Sequence, residues 1–543
     1  VTDTLTRRLA LLQQELPLIA ASLRGVEKEG LRIDRQGQLA QTPHPQALGS
    51  ALTHPRITTD YSEALLELIT QTHASAAALI AELRLTHRYV AATLDEAGET
   101  MWNHSMPGHL PPEAAIPIAW YGTSNTGMLK HVYRRGLAER YGRRMQCIAG
   151  VHYNFSLHDD AWELLALPGT TATERRSHGY IALIRNFTRY SWLLMYLFGA
   201  SPAVTRDFLR ASSCDFSCDS SCNSHHNLQQ LDADTLYLPY ATSLRMSDLG
   251  YQSPVQAQLK LCYNDLDTFL ARLHDLVTRP WPDYARIGTH RDGQWIQLNS
   301  HILQIENEYY STIRPKRVTE RGERPITALA ERGVQYVEVR CLDIDPFAPQ
   351  GITADTARFL DAFLLYCALA DSPLFTPDGH CNHSAENFAQ VVRAGRTPGL
   401  MLNRDGQAIA LRQWGHELLD GIAACAALLD EAHADDAHAG THYAQAIAMQ
   451  RAKLAAPETT PSGQFLAALT GERLSFYDYA RELSRAHARA LRDEPLSDVE
   501  ESAYAAMAQA SLAEQARIEA GDVMDFDSYV ARYHAALRAP APA

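Results

Sequence analysis

The sequence predicts an α+β fold in which a strand-bearing core is followed by a mainly helical C-terminal part. From Leu23 to about Leu157, short apolar segments are broken by Gly, Pro, Thr and Asn. Strand signals return at Gly293–Ser311 and Gly333–Asp345, and nearly everything after Thr353 is Ala-rich with helical spacing. Strands do not alternate regularly with helices, so parallel βαβ units are not expected.

Taken in order, the first twenty-odd residues carry apolar positions at helical intervals and predict a helix packed on the body. GVEKEGLRID (Gly25–Asp34) and GVHYNFSL (Gly150–Leu157) read as strands bounded by turns. Between them, Ser75–Gly98 has apolar residues three and four apart and predicts a helix. Ser177–Phe198 predicts another, mostly buried. The longest apolar stretch, Ser191–Val204, is too short to span a bilayer and carries Gly and Pro, so it reads as core. No repeat and no linker is evident. One unit over residues 1–543 is expected, made of an N-terminal helix (1–22), a sheet-bearing core (23–350) and a helical part (351–543).

At 543 residues and 46% hydrophobic, the chain can bury a large core. Its 49 Lys+Arg against 63 Asp+Glu give a net charge of −14, a poor footprint for nucleic acid or an anionic membrane. The N-terminal residues lack the pattern of a secretory signal. Nine cysteines spread over a long chain suit reduced thiols better than a disulfide framework. A soluble, cytoplasmic chain is expected.

Glu27 and Glu29 lie two apart in the strand-like Val26–Ile33, so period-two geometry puts both side chains on one face. Two carboxylates aimed at one space stay ionised only beside a cation, and hard divalent metals take such oxygen ligands together with phosphates. Asp60, Glu67 and Glu99 are further acidic candidates. In YVEVRCLDI, Tyr336, Glu338 and Arg340 share a strand face, and Val337, Val339 and Cys341 take the other. An acid and a base pointing together suit a site for metal and phosphate. On residue pattern alone, Glu-x-Glu can equally be a solvated strand face.

Seven blocks carry a more specific signal. RGVEKEGLRID (Arg24–Asp34), HPQALGSALTHPRITTDYSEALLELIT (His44–Thr70), YGTSNTGMLKHVYRRGL (Tyr121–Leu137) and GVHYNFSL resemble the proteobacterial-type glutamate–cysteine ligases. So do YLPYATSLRMSDLGY (Tyr237–Tyr251), LQIENEYYSTIRPKRVT (Leu303–Thr319) and YVEVRCLDIDPF (Tyr336–Phe347). They lie in the expected order over about Arg24–Arg396.

The resemblance implies a glutamine-synthetase-like fold, with a curved antiparallel sheet forming a substrate funnel inside surrounding helices. It implies ATP as co-substrate, with glutamate and cysteine joined through a γ-glutamyl phosphate, and hence the first step of glutathione synthesis. Carried over by position, it implies metal ligation by Glu27, Glu29, Asp60, Glu67, Glu99, His152 and Glu338. Magnesium is the expected ion, and an imidazole in the set makes manganese tolerance expected. Arg134 and Arg340 resemble the phosphate-facing catalytic arginines. Tyr61, Tyr133, Leu137, Gln146, Arg245, Tyr251 and Tyr310 resemble the substrate-binding positions, with Tyr61 standing where Phe is expected. Arg314, Lys316 and Arg317 form a basic run that either grips ATP phosphates or is a solvated turn. Small-molecule partners and a monomer are expected.

One stretch departs from the family pattern. Ala211–Asn227 places Cys214, Cys218 and Cys222 at four-residue intervals before His225 and His226. It reads as a polar surface insertion, or else as a zinc or redox element matching no familiar zinc spacing. Two rival functions follow. One is a related ATP-dependent carboxylate–amine ligase using another amine, and the other is a metal- or redox-sensing protein using this loop.

Overall fold

The computed structural model describes residues 2–210, 227–250, 259, 261, 263–320, 322–376, 380–434 and 442–537. Tyr251 and the Cys214/Cys218/Cys222/His225/His226 group lie outside the described residues. An open seven-stranded sheet organises the chain. Its strands are β1 (Leu23–Ile33), β2 (Ile57–Thr59), β3 (Leu65–Ile69), β4 (Thr100–Met101), β5 (Val151–Ser156), β6 (Ile313–Lys316) and β7 (Tyr336–Leu342). The order is β6-β7-β5-β1-β3-β2, with β4 on the far end of β1, and every pairing is antiparallel. This is the expected α+β class: helices are interspersed with the strands along the chain, but no parallel βαβ unit forms because every pairing in the sheet is antiparallel.

The helices used below are α1 (Asp3–Gln13), α2 (Ala76–Glu96), α3 (Asn125–Tyr141), α4 (Ala172–Phe198), α5 (Leu266–Thr278), α6 (Pro325–Arg332), α7 (Ala354–Leu369), α8 (Leu411–Ala432), α9 (His442–Ala455), α10 (Asp498–Gly521) and α11 (Phe526–Ala535). Local chemistry starts them where they start. Ser75 caps α2, and Thr171 with Glu174 forms a reciprocal capping box at α4. Almost every residue of α4 from Ser191 to Phe198 is buried, as the apolar run requires.

One face of the sheet is covered by helices. Val26, Tyr153, Phe155, Val337 and Val339 share it by register and are all buried. Helix α2 packs on β1, β3 and β4, and α4 packs on β6 and β7. At its centre, Arg24 and Asp361 of α7 form an ion pair with both side chains fully buried, Nε to Oδ2 at 3.2 Å. The hydroxyls of Tyr153 (2.7 Å) and Tyr443 of α9 (3.2 Å) donate to the same carboxylate. The sheet is thus joined to the C-terminal helices by one buried polar knot, in which the Arg24 Nη2 alone has no hydrogen-bond partner among the described residues.

Sequence patterning failed in three places. Gly293–Ser311 is not a continuous strand, since only Gln294–Trp295 pairs as a strand, with His290–Arg291, and His301 makes an isolated bridge to Pro280. Its buried Ile296, Leu298, Ile302 and Leu303 mimic a strand pattern. The backbone is instead held by side chains such as Gln304 Oε1, which accepts from the Leu298 N–H at 3.0 Å. The N-terminal helix ends at Gln13, and a separate short helix, Leu16–Ala20, begins beside Pro17. Finally, the helical C-terminal part contains a hairpin, Met401–Arg404 with Gln407–Ala410.

Removing one partner of the buried knot should be costly. Asp361→Ala is expected to lower stability by about 3–5 kcal/mol because Arg24 is left charged and unpaired. Urea unfolding followed by circular dichroism measures this, and a loss below about 1 kcal/mol would mean that the pair is not structurally important.

Candidate active site

The other face of the sheet forms the floor of a cavity of about 320 Å³. Register explains its composition. Glu27 pairs across with His152 of β5, and Glu29 with Glu67 of β3. Glu338 of β7 stands opposite Asn154 of β5 on one side and Arg314 of β6 on the other. Directly opposed residues share a face, so Glu27, Glu29, Glu67, His152, Glu338 and Arg314 all point into one space. Asp60 enters from the β2–β3 turn.

The acids are not equivalent. His152 presents Nδ1 to Glu27 at 3.2 Å and Nε2 to Glu29 at 3.8 Å. The Asn154 amide donates to Glu27 at 3.0 Å, and the Gly150 N–H donates to Glu29 at 2.7 Å. Glu338 lies between Lys316 (3.2 Å) and Arg340 (3.0 Å). Burial alone would raise its pKa, but these two cations outweigh burial and hold it well below the usual carboxylate range. Glu67 is the opposite case. Among the described residues no donor reaches its carboxylate, and burial, then Glu27, Asp60 and Glu29, push its pKa well above the usual range.

A divalent cation would offset the charge of a carboxylate in that position. Ligand atoms of Glu27, Glu67 and His152 lie within 4.8 Å of one another, close enough to share an ion. Glu29, Asp60 and Glu338 line the same cavity. An oxygen-rich set with one imidazole fits a hard divalent cation and tolerates a slightly softer one.

Cations face this acidic centre. Helix α3 presents Lys130, Tyr133, Arg134 and Leu137 on one side, at helical intervals of three and four. Arg134 lies over the Tyr121 ring at 4.7 Å, with its Nε donating to the Asp60 carbonyl and its Nη2 3.5 Å from the Asp60 carboxylate. The buried Nε atoms of Arg340 and Arg314 have no partner among the described residues, which leaves them available to an anionic ligand. Lys130 was missed by sequence reasoning although its signal was present, one turn before Arg134 on the same face. Burial first, and then Arg134, push its ammonium down to about 8.

The rest of the wall is mixed. Tyr133, Leu137, Gln146, Arg245 and Tyr310 line it. The Arg245 guanidinium donates to the carbonyls of Arg340 (3.0 Å) and Leu342 (3.2 Å). It passes so close to Gly150 that a Cβ there would collide with it. Part of its donor capacity is therefore spent holding the β7 bulge region against the floor. The Tyr310 hydroxyl rests on Met246 Sδ at 3.2 Å.

Three expected members stand apart. Glu99 is buried in an ion pair with Arg32 (2.6 Å). Arg32 is five residues from Glu27 on β1, an odd offset, and so belongs to the helix-covered face. Arg317 donates to the carbonyls of Arg332 and Gly333 and does not reach this cavity. Tyr61 is buried outside the cavity wall, and its hydroxyl has no partner among the described residues.

A sequence model of the glutamate-cysteine ligase family matches residues 9–391. The chain belongs to this family. A glutamate–cysteine ligase from Bordetella parapertussis is 64% identical over 542 residues, covering 100% of this chain and 99% of the relative. That of Pseudomonas paraeruginosa is 55% identical, covering 99% of each. Among solved structures, a glutamate–cysteine ligase from Francisella tularensis in complex with AMP superposes with a TM-score of 0.85 at 37% identity, covering 95% of this chain and 97% of that one. A bifunctional glutathione synthetase from Pasteurella multocida shares the fold, with a TM-score of 0.70 at 22% identity over 92% of this chain and 58% of that one.

Two measurements follow for this glutamate–cysteine ligase fold. With divalent cations chelated, ionising Glu67 is costly, so its contribution to stability falls as pH rises from the ordinary carboxylate range through its raised pKa. Glu67→Gln should remove that slope and should also abolish stabilisation by added magnesium. Calorimetry in EDTA and in magnesium across about pH 4–8 reads both effects. Tyr61→Phe deletes an unpartnered hydroxyl and should raise stability by up to about 1 kcal/mol, whereas a loss above that would reveal a partner for it.

Proposed function

We propose that the chain joins the γ-carboxylate of glutamate to the amine of cysteine at the expense of ATP, giving γ-glutamylcysteine, ADP and phosphate. One observation carries the reading within the family. Carboxylates on β1, β3 and β7 surround His152 at the floor of a single cavity, and Arg134, Lys316 and Arg340 stand beside them. The AMP bound to the Francisella relative supports an adenine nucleotide as co-substrate.

The reaction needs two displacements. A γ-carboxylate oxygen attacks the γ-phosphorus, and ADP leaves. The cysteine nitrogen then attacks the acyl carbon, the bond to the phosphate oxygen breaks, and the nitrogen loses a proton. Glu27, Glu29, Asp60, Glu67, His152 and Glu338 would hold magnesium, with manganese tolerated, and the ion would supply charge neutralisation toward the phosphates. Arg134 and Arg340 take the charge that develops on the moving phosphoryl group. Glu338 keeps Arg340 in place by their 3.0 Å pair, so an ion pair on the strand and a role toward phosphate coexist. Tyr133, Leu137, Gln146 and Tyr310 form a snug wall for the amino acids, and Tyr251 is carried in the same proposed set.

The proposal takes residues 1–543 as a single catalytic unit acting as a monomer in the cytoplasm. The described cysteines, Cys147, Cys341, Cys367, Cys381 and Cys425, are free thiols, as a reducing compartment requires. Among the described residues no helix is long and apolar enough to cross a membrane.

Phosphate release with glutamate plus cysteine, compared with 2-aminobutyrate, alanine and ammonia in place of cysteine, tests the acceptor. Release no faster with cysteine than with ammonia would sink the reading. In the same assay Arg340→Ala should lower kcat by about 100-fold or more while the KM for cysteine moves by less than about threefold. A change confined to KM would make Arg340 a binding residue only.

A further inference from the structure

Past Val339, strand β7 runs out of regular partners. Its pairing with β6 ends at Ile313–Val339, followed by one last bond from the Arg340 N–H to the Thr312 carbonyl (2.9 Å). Its register with β5 slips between Val339 and Leu342. The Arg340 and Leu342 carbonyls lie at that irregularity, and both accept from the Arg245 guanidinium, at 3.0 and 3.2 Å. A side-chain fork thus stands in for ladder bonds at Arg340, whose own side chain lines the cavity.

Arg245 is itself buried, so its charge needs a partner. Among the described residues the acid that reaches it is Asp343, with Oδ1 3.8 Å from Nη1. That separation is too long for a hydrogen bond, so the coupling is one of charge, which burial strengthens. Asp343 follows β7 directly and does not line the cavity. Three donors fix its carboxylate. The Ala200 N–H (2.8 Å) and the Ser201 hydroxyl (2.7 Å) donate to Oδ2, and the Ser243 hydroxyl (2.9 Å) donates to Oδ1. The donors are fixed in turn, since Ser201 and Ser243 form a parallel bridge and the Ser201 Oγ accepts from the Arg245 N–H at 3.3 Å.

We propose that Asp343 is a positioning residue of the reaction. Its charge holds the Arg245 guanidinium against β7, and Arg245 fixes the backbone from which the Arg340 side chain is aimed at the moving phosphoryl group. Asp343 touches no substrate and acts through two arginines. The inference rests on the proposed function, in which Arg340 faces phosphate.

Asp343→Asn tests it with little change of shape. The remaining oxygen can keep the Ala200 and Ser201 bonds, and the amide can donate to a turned Ser243 hydroxyl. What is lost is the charge facing Arg245. This variant should lower kcat at least about tenfold, with the KM values for ATP and glutamate within about threefold. Arg245→Gln and the double variant complete a cycle. If Asp343 acts through Arg245, the double variant loses no more than about threefold beyond the worse single one. Losses that multiply, a smaller fall in kcat, or a change confined to a KM overturn the proposal. Should Asp343→Asn not fold, Ser243→Ala, which removes one donor to the same carboxylate, should lower kcat at least about threefold with the same split. A smaller loss there overturns the proposal too. The cycle is read with whichever amine the wild type turns over, so failure of cysteine as acceptor sinks the proposed function and leaves this test intact. Without any turnover, urea unfolding of the same four proteins decides. Coupling of at least about tenfold in the unfolding equilibrium between positions 343 and 245 upholds the pair, and additive losses refute it.

Discussion

The register of β1 between β3 and β5 is the constraint on which the rest of the molecule depends. Glu27 and Glu29 point to the cavity only because Val26 and Lys28 point to the helices. A slip of one residue would exchange the two sets, driving carboxylates into the packed face of α2 and a lysine into the acidic centre. The register is defended on both sides. Val26 and Tyr153 bury together against the helices, and Arg24 is fixed by Asp361. Lys28 is fully buried, and among the described residues the Met101 sulfur, at 3.2 Å, is its one hydrogen-bond partner. Burial pushes its ammonium down to about 7 against the pull of Glu29, so keeping this lysine on the packed face costs stability at neutral pH that the surrounding packing must offset.

On the cavity face, charge is graded along the sheet. Its centre, on β1 and β3, is buried and acidic, so that burial first and then the neighbouring acids make Glu67 resist ionisation. Its edge, on β6 and β7, and the facing helix α3 are basic. Glu338 sits at the boundary, ionised firmly because Lys316 and Arg340 flank it. A polyanion approaching from the edge meets cations first, and the acids beyond would repel it unless a divalent ion offset their charge.

How much of this was legible depended on whether a local period controlled the outcome. Period two placed Glu27 with Glu29, and Tyr336 and Arg340 with Glu338, without any knowledge of partners. The spacing of Lys130, Tyr133, Arg134 and Leu137 carried the helix face equally well, yet Lys130 passed unnoticed because a lysine on an amphipathic helix usually means solvent. Glu99 misled because its partner, Arg32, was fixed by the pairing of β4 with β1, a long-range choice. Gly293–Ser311 misled because buried side-chain amides replace ladder hydrogen bonds there, and no periodicity distinguishes the two. The register linking β7, β5, β1 and β3, which gathers the site, had no local signal.

The C-terminal helices show why the site cannot be reduced to the sheet. The family match ends at residue 391, but α3 is held from beyond it. The first N–H of α3, on Asn125, donates to the Asp522 carboxylate, and the Asn125 amide donates to the Met524 carbonyl at 2.8 Å. Glu519 of α10 accepts from the Thr123 N–H at 2.8 Å. Anionic groups at a helix N-terminus satisfy its free N–H groups and oppose its positive end. Farther along, α11 contributes Asp527 to the Trp295 indole (2.7 Å) and Tyr533 to the face of Arg324 (4.5 Å). Arg324 in turn holds Glu306 at 2.9 Å, next to Asn307 in the cavity wall. Both walls facing the sheet are therefore anchored by residues after 510. That arrangement makes the helical third of the chain part of the site's geometry, although it supplies no side chain to the acidic floor.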